Sequence, residues 1–413
     1  MTAPPNSLLD RNDERLKDRS GAVGALKSFL DRVRSGDLGS LPVVVGLFLI
    51  CTIFETLNPI FLSPNNLVNL LFDCSTVGVI SLGVVCVLMV GEIDLSVGSV
   101  SGLSSAMLGV LWVELGWPMG LAVLAALVVG LAIGCVYALL LNRLGMPSFV
   151  SSLSGLLAFL GLQLYILGPT GSINLPYGSP LVNFGQLMVM PHWLSYVLAA
   201  VPGMVALLAG YRNARRRKGA GLSSRSLGGL FLQGCIMTAA LEAVAYYINF
   251  ARGVPWMFGL FAALVVAMNY ALKRTQWGRS MTAVGGNREA ARRAGINVRL
   301  IYTSAFALCA MLAAAGGIVS AARLASASQQ AGTGDVNLNA IAAAVIGGTS
   351  LFGGRGSAYS ALLGIIVIQS IASGLTLLDL SSSLRYMITG CVLAVAVIVD
   401  SLARRSRVSH GRA

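Results

Sequence analysis

Carboxylates stand inside or beside long apolar stretches at Asp73, Glu92, Asp94 and Glu242. An ionisable group at membrane depth is costly, so it tends to face a partner or a watery cavity. Glu92 and Asp94 fall where one apolar block ends and the next begins. Two readings fit them: Asp94 caps a helix starting near Leu95 while Glu92 sits in an interface loop, or both line, with Ser96, a solute path or its inner gate. Glu242, in mid-block, reads as a structural partner or a peripheral group. Ser151, Ser152, Ser154, Gln163, Asn269 and Gln369 offer hydroxyls and amides that suit a polar solute or helix–helix hydrogen bonds equally well. Covalent chemistry has no visible machinery. There is no GxxxxGK[ST], and none of Lys17, Lys27, Lys218 and Lys273 follows a glycine-rich phosphate loop. Two histidines and seven cysteines without CxxC spacing make no metal set. The chain moves or holds something and is not an enzyme by itself.

The elements that must position these groups are membrane helices. Of 413 residues, 56% are hydrophobic and 11% charged, too little charge to cover a soluble surface. The apolar residues come in blocks near 41–57, 65–90, 96–113, 119–141, 147–168, 192–211, 227–250, 256–273, 300–321, 339–353, 357–378 and 384–402, most of them long enough for a bilayer, which takes about 20 helical residues. An all-α polytopic bundle of about twelve spans is expected. The block 339–353 is short, and 65–90 carries Asp73 and Gly78, so either is a candidate for a re-entrant or discontinuous span. Net charge is +13, concentrated at Arg212–Lys218, Lys273–Arg299 and Arg404–Arg412. Placed on the cytoplasmic side, these clusters agree with both termini inside and the charge-free loop 169–191 outside. Trp112, Trp117, Trp193 and Trp256 then lie at outer block ends, where indoles favour the interface. Residues 1–40 hold seven basic and six acidic residues and no apolar run, and are expected to be a cytoplasmic tail, as is 403–413. Residues 90–98 and 346–354 share two glycines and a leucine in register, a weak sign of an internal repeat.

The longest basic loop, 273–299, is the most structured one. Asn287 is a good N-cap, Glu289 complements the helix dipole in the first turn, Arg292 and Arg293 suit the last turn, and Gly295 stops the helix. Ala290, Ala291 and Ala294 make a small apolar face. A helix of two turns does not persist alone in water, so 287–295 needs a surface to dock on.

Within that loop, Gly278–Val298 resembles the cytoplasmic coupling loop of permeases from the ribose/xylose/arabinose/galactose class of ATP-binding-cassette importers. Three further stretches resemble the same class, in its order: Glu92–Ser99, Met146–Val150 and Ala342–Ser357. Glu92 before Ile93-Asp94, the Leu115–Pro118 loop, and an extra basic loop and span at about 210–255 resemble the xylose-type subgroup. The resemblance implies a permease domain over 41–402 that forms the path for a monosaccharide, D-xylose first among them, in the bacterial inner membrane. It implies a homodimer of permeases, two copies of an ATP-binding subunit docked at Asn287, Arg288, Glu289, Ala290, Ala291, Arg292, Arg293, Ala294 and Gly295, and a periplasmic sugar-binding protein. ATP would be held by the partner and no cofactor by this chain. Asn339 stands where relatives often carry Asp, which leaves its role in the path open. The alternative is a twelve-span ion-coupled secondary sugar transporter, which requires intramembrane carboxylate–basic pairs.

Overall fold

The computed structural model describes residues 41–220 and 227–381, with scattered helical positions from 383 to 398. The terminal tails 1–40 and 403–413 and most of the block 384–402 lie outside the described residues. Helices carry nearly all of the rest: α1 Leu41–Leu57, α2 Pro64–Met89, α3 Val97–Gly109, α4 Met119–Leu144, α5 Ser148–Leu167, α6 Pro180–Gln186, α7 His192–Gly219, α8 Leu227–Asn249, α9 Trp256–Arg274, α10 Gln276–Gly286, α11 Arg288–Arg293, α12 Val298–Leu324, α13 Val336–Ile346 and α14 Ala358–Leu377. A π-helical turn, Val110–Glu114, extends α3. Among the described residues nine helices are long and apolar enough to cross a bilayer; α1 and α13 are shorter. The fold is an all-α polytopic membrane bundle.

The chain divides into two compact units. The described parts of the smaller one within Val189–Val254, residues 189–220 and 227–254, hold the paired helices α7 and α8. Its neck is closed by Met190 N–H on Val254 O and by Asn249 on Ser195 Oγ. Glu242 is half-buried on α8.

The larger unit, 39–188 and 255–402, is built on α12. Small residues (Ala310, Ala313, Ala314, Gly316, Gly317) are buried along it and let α2, α3 and α4 approach closely, the packing mode that works where lipid offers no hydrophobic drive. α13 and α14 pack on each other and on α2, and α1 with the turn after it covers α14 through Phe54, Phe61, Val367 and Ile371. At one end the strands β1, Ser172–Asn174, and β2, Ser326–Ser328, pair antiparallel with Ile173 opposite Ala327. The opposite end carries α10 and α11. The expected break in the block 65–90 is absent: α2 runs unbroken for 26 residues. Asp73 has an ion-pair partner there, and Gly78 lies bare under the Phe261 ring, so neither interrupts the backbone ladder. The block around 339–353 is a short helix, α13, of 11 residues.

Candidate functional site

α11 forms as its residue types dictate. The Asn287 side chain accepts the Ala290 N–H at 2.9 Å, Glu289 pairs with Arg292 at 2.9 Å on the surface, and Gly295 takes a φ of +82°. Gly295 and Ile296 donate back to Arg292 O and Ala291 O, closing the helix with a left-handed cap. Two features differ from expectation. The residues before it form a helix of their own, α10, capped by Thr275 and anchored by Trp277 Nε1 on Ser304 Oγ at 2.8 Å. The alanine face is also split: Ala291 is buried in the protein's own core, whereas Ala290 and Ala294 are exposed. At a helical spacing of 100° per residue, only one edge of so short a helix meets the bundle. Glu289, Ala290, Arg292, Arg293 and Ala294 are left exposed.

Behind these helices three glycine-bearing segments meet backbone to backbone. Gly354 N–H donates to Met89 O at 2.9 Å. A Cβ on Gly285 would stand 1.9 Å from that oxygen and 2.6 Å from that nitrogen, and a Cβ on Gly353 would meet Gly91 at 2.9 Å. The segments 90–98 and 346–354 thus touch each other at the end of the bundle that carries the loop.

The turn from α2 to α3 leads on from this junction. Asp94 is buried, and its Oδ1 accepts both the Ser96 amide (2.8 Å) and the Ser96 hydroxyl (2.7 Å). Burial raises its carboxyl above the usual range, and the two bonds from Ser96 oppose that rise. The Tyr137 hydroxyl donates to Ser96 Oγ at 2.7 Å. Asp94 is not the cap of a helix at Leu95: α3 begins at Val97, with Ser96 in the cap position. An acceptor two residues ahead of the bonded amide closes an Asx turn instead. Glu92 accepts from Ser148 at the start of α5 and lies beside the Tyr302 hydroxyl of α12. Arg288 of α11 sits 5.3 Å from the centre of the Tyr302 ring. Side chains therefore run from α11 through Tyr302 to Glu92. Asn339 stands apart from this group. Its amide donates to Asp335 at 2.9 Å, and its buried Oδ1 has no partner among the described residues.

Of the other polar candidates, Gln163 donates to the carbonyls of Ser328, Gln329 and Ala331 and so ties α5 to the segment after β2. Ser151, Ser152 and Ser154 bond to carbonyls of their own helix or its cap. Gln369 alone of the six lines a sizeable cavity, of about 380 Å³. The cavity lies near the β1–β2 end, and Asp73 is paired there with Arg323 at 2.9 Å.

With these positions known, comparison with known proteins bears on the whole bundle. The sequence model of the family described as branched-chain amino acid transport system / permease component matches residues 66–397. The chain belongs to that family. Curated relatives cover the permease almost end to end. The xylose transport system permease protein XylH of Escherichia coli K12 is 32% identical over 387 residues, 94% of this chain and 96% of that one. XylH of Haemophilus influenzae is 31% identical over 367 residues, 88% and 94% of the two chains. The ribose import permease protein RbsC of E. coli K12 is 31% identical over 360 residues, 87% and 92%. No solved structure matches. In this permease the capped helix α11 and the break between apolar blocks near residues 90–96 were foreseeable from the sequence. The glycine junction and the Asp73–Arg323 pair were not, although the Gly-Gly pairs at 285–286 and 353–354 were a signal for close backbone approach.

Proposed function

We propose that this permease forms the path of an ATP-binding-cassette importer for a monosaccharide, with D-xylose as the substrate. The observation that carries this reading is 32% identity over 94% of the chain to a xylose transport system permease protein. The protein is a multi-pass inner-membrane subunit with both termini, the basic segment 212–225, which begins in the last turns of α7, and the segment 273–299 in the cytoplasm. It pairs with a second permease copy, docks two ATP-binding subunits through 287–295, and receives sugar from a periplasmic binding protein. ATP resides on the partner, and this chain binds no cofactor.

The geometry supports a route for the motion. Closure of the ATP-binding subunits would press on the exposed face of α11. Arg288, Tyr302 and Glu92, together with the backbone junction at Met89, Gly285 and Gly354, would pass that displacement to the turn holding Asp94 and Ser96. We assign Glu92, Asp94, Ser96 and Asn339 to the solute path or its inner gate. The Asp73–Arg323 pair is of the kind an ion-coupled carrier would require, and the two readings part in one experiment. Proteoliposomes holding the permease, its ATP-binding subunit and its binding protein should take up labelled D-xylose when ATP is inside, with or without a protonophore. Uptake by the permease alone, driven by an imposed proton or sodium gradient, would overturn the proposal.

A further inference from the structure

We propose that the exposed face of α7 binds one anionic glycerophospholipid, its phosphodiester held by Arg212, Arg215 and Arg216 and its acyl chains laid along Leu208, Val205, Val201 and Leu198. The site lies within the smaller unit and is independent of what the permease carries. α7 has 28 residues, about 42 Å of helix at 1.5 Å per residue, more than the hydrocarbon core of about 30 Å. Trp193 and Tyr211 are both exposed on it and stand about 27 Å apart by helix rise. Tryptophan and tyrosine favour the two membrane–water interfaces, so this pair sets the span. The turns after Tyr211 then stand at headgroup level.

The two faces of α7 differ in kind. One is fitted to α8: a Cβ on Gly203 would stand 1.9 Å from Thr238 Oγ1, one on Gly210 would stand 2.9 Å from Leu230 Cδ2, and Ala214 is buried. On the opposite face Leu198, Val201, Val205 and Leu208 are exposed. The same three- and four-residue spacing continues into Arg212 and Arg215, also exposed, with Arg216 beside them. Such steps keep to one helix face. The stripe is therefore apolar through the hydrocarbon and cationic where the hydrocarbon ends, which matches the two parts of a phospholipid. The chain has no Asp or Glu between Glu114 and Glu242. Glu242 lies four residues beyond Thr238, the neighbour of Gly203, about 20 Å by helix rise from Arg212. No carboxylate among the described residues of this unit is near enough to neutralise the cluster. Guanidinium groups pair with phosphate oxygens bidentately, and a basic cluster at the end of a membrane helix attracts anionic lipid.

Native mass spectrometry of the purified permease, offered phosphatidylglycerol and phosphatidylcholine in equal amounts, tests the site. The wild type should retain phosphatidylglycerol in preference. Arg212→Gln with Arg215→Gln should cut that preference about tenfold or more, while Arg216, Arg217 and Lys218 still hold this end of α7 on its side of the membrane. Lys273→Gln with Arg274→Gln, the same loss of charge at the end of α9, should leave the preference unchanged. An undiminished preference in the first variant, or an equal drop in the second, would reduce the cluster to general attraction and overturn the proposal. Displacement of the lipid by excess inorganic phosphate would overturn it too, by making the site one for a free anion. If the first variant fails to insert, the wild type decides. Phosphatidylglycerol with a photoreactive acyl chain should label residues between Leu198 and Leu208, and labelling confined to other helices would refute the site.

Discussion

Gly285 and Gly286 are adjacent in the last turn of α10, and replacing each by alanine should have opposite consequences. Neither has a positive φ, so alanine is conformationally acceptable at both. In a helix interior the exchange gains about 1 kcal/mol. At Gly286 an added Cβ meets nothing within 4 Å, so Gly286→Ala should be neutral or gain up to that amount. At Gly285 the methyl would stand 1.9 Å from Met89 O and 2.6 Å from Gly354 N, between the acceptor and donor of a 2.9 Å hydrogen bond. Both obstacles are backbone, which cannot rotate away. Losing that bond costs about 1 kcal/mol net, and overpacking adds about 1–3 kcal/mol. Against the helix gain, Gly285→Ala should destabilise by about 1–3 kcal/mol. The detergent-solubilised permease should melt below the wild type for Gly285→Ala and at or above it for Gly286→Ala. If the junction transmits the ATP-driven motion, Gly285→Ala should also lower import by assembled complexes. Equal melting temperatures and full import in both variants would refute the close-contact reasoning.

Ala294→Trp should leave the melting of the isolated permease unchanged and weaken co-purification of the ATP-binding subunit, because Ala294 is exposed. Ala291→Trp should destabilise the permease itself, because Ala291 is only 4% exposed within the core. Single cysteines at Ser280 and Tyr177, in a background without other thiols, should react from opposite sides of the membrane, position 177 from outside; labelling of both from one side would break the layout. Asp94→Asn keeps the Oδ1 acceptor for the Ser96 amide and hydroxyl and should fold, whereas Asp94→Ala strands a buried N–H and should lose about 1–3 kcal/mol in a thermal melt. Import by the Asn variant then reads the gate directly, and normal uptake would restrict Asp94 to closing the turn.

Apolar block length and the clustering of arginines established the membrane class and the order of the helices, because hydrocarbon admits only segments that satisfy their own backbone. The short helix α11 was equally readable: Asn287, Glu289 and Gly295 act on bonds within a few residues, and such local bonds depend little on the rest of the fold. Even there the helix faces were not readable. Ala290, Ala291 and Ala294 are alike in type, and only the packing turns Ala291 inward. Asp94 illustrates the same limit, since a cap and an Asx turn use the same acceptor and differ by where the helix starts. The Asp73–Arg323 pair joins residues 250 positions apart, and no periodicity in the chain connects them. Gln163 and Gln369 looked interchangeable until the bundle closed around them. One was fastened to three carbonyls and the other reaches a single carbonyl, that of Asp73, at the wall of a cavity, because which helices become neighbours is decided by the packing of all of them together.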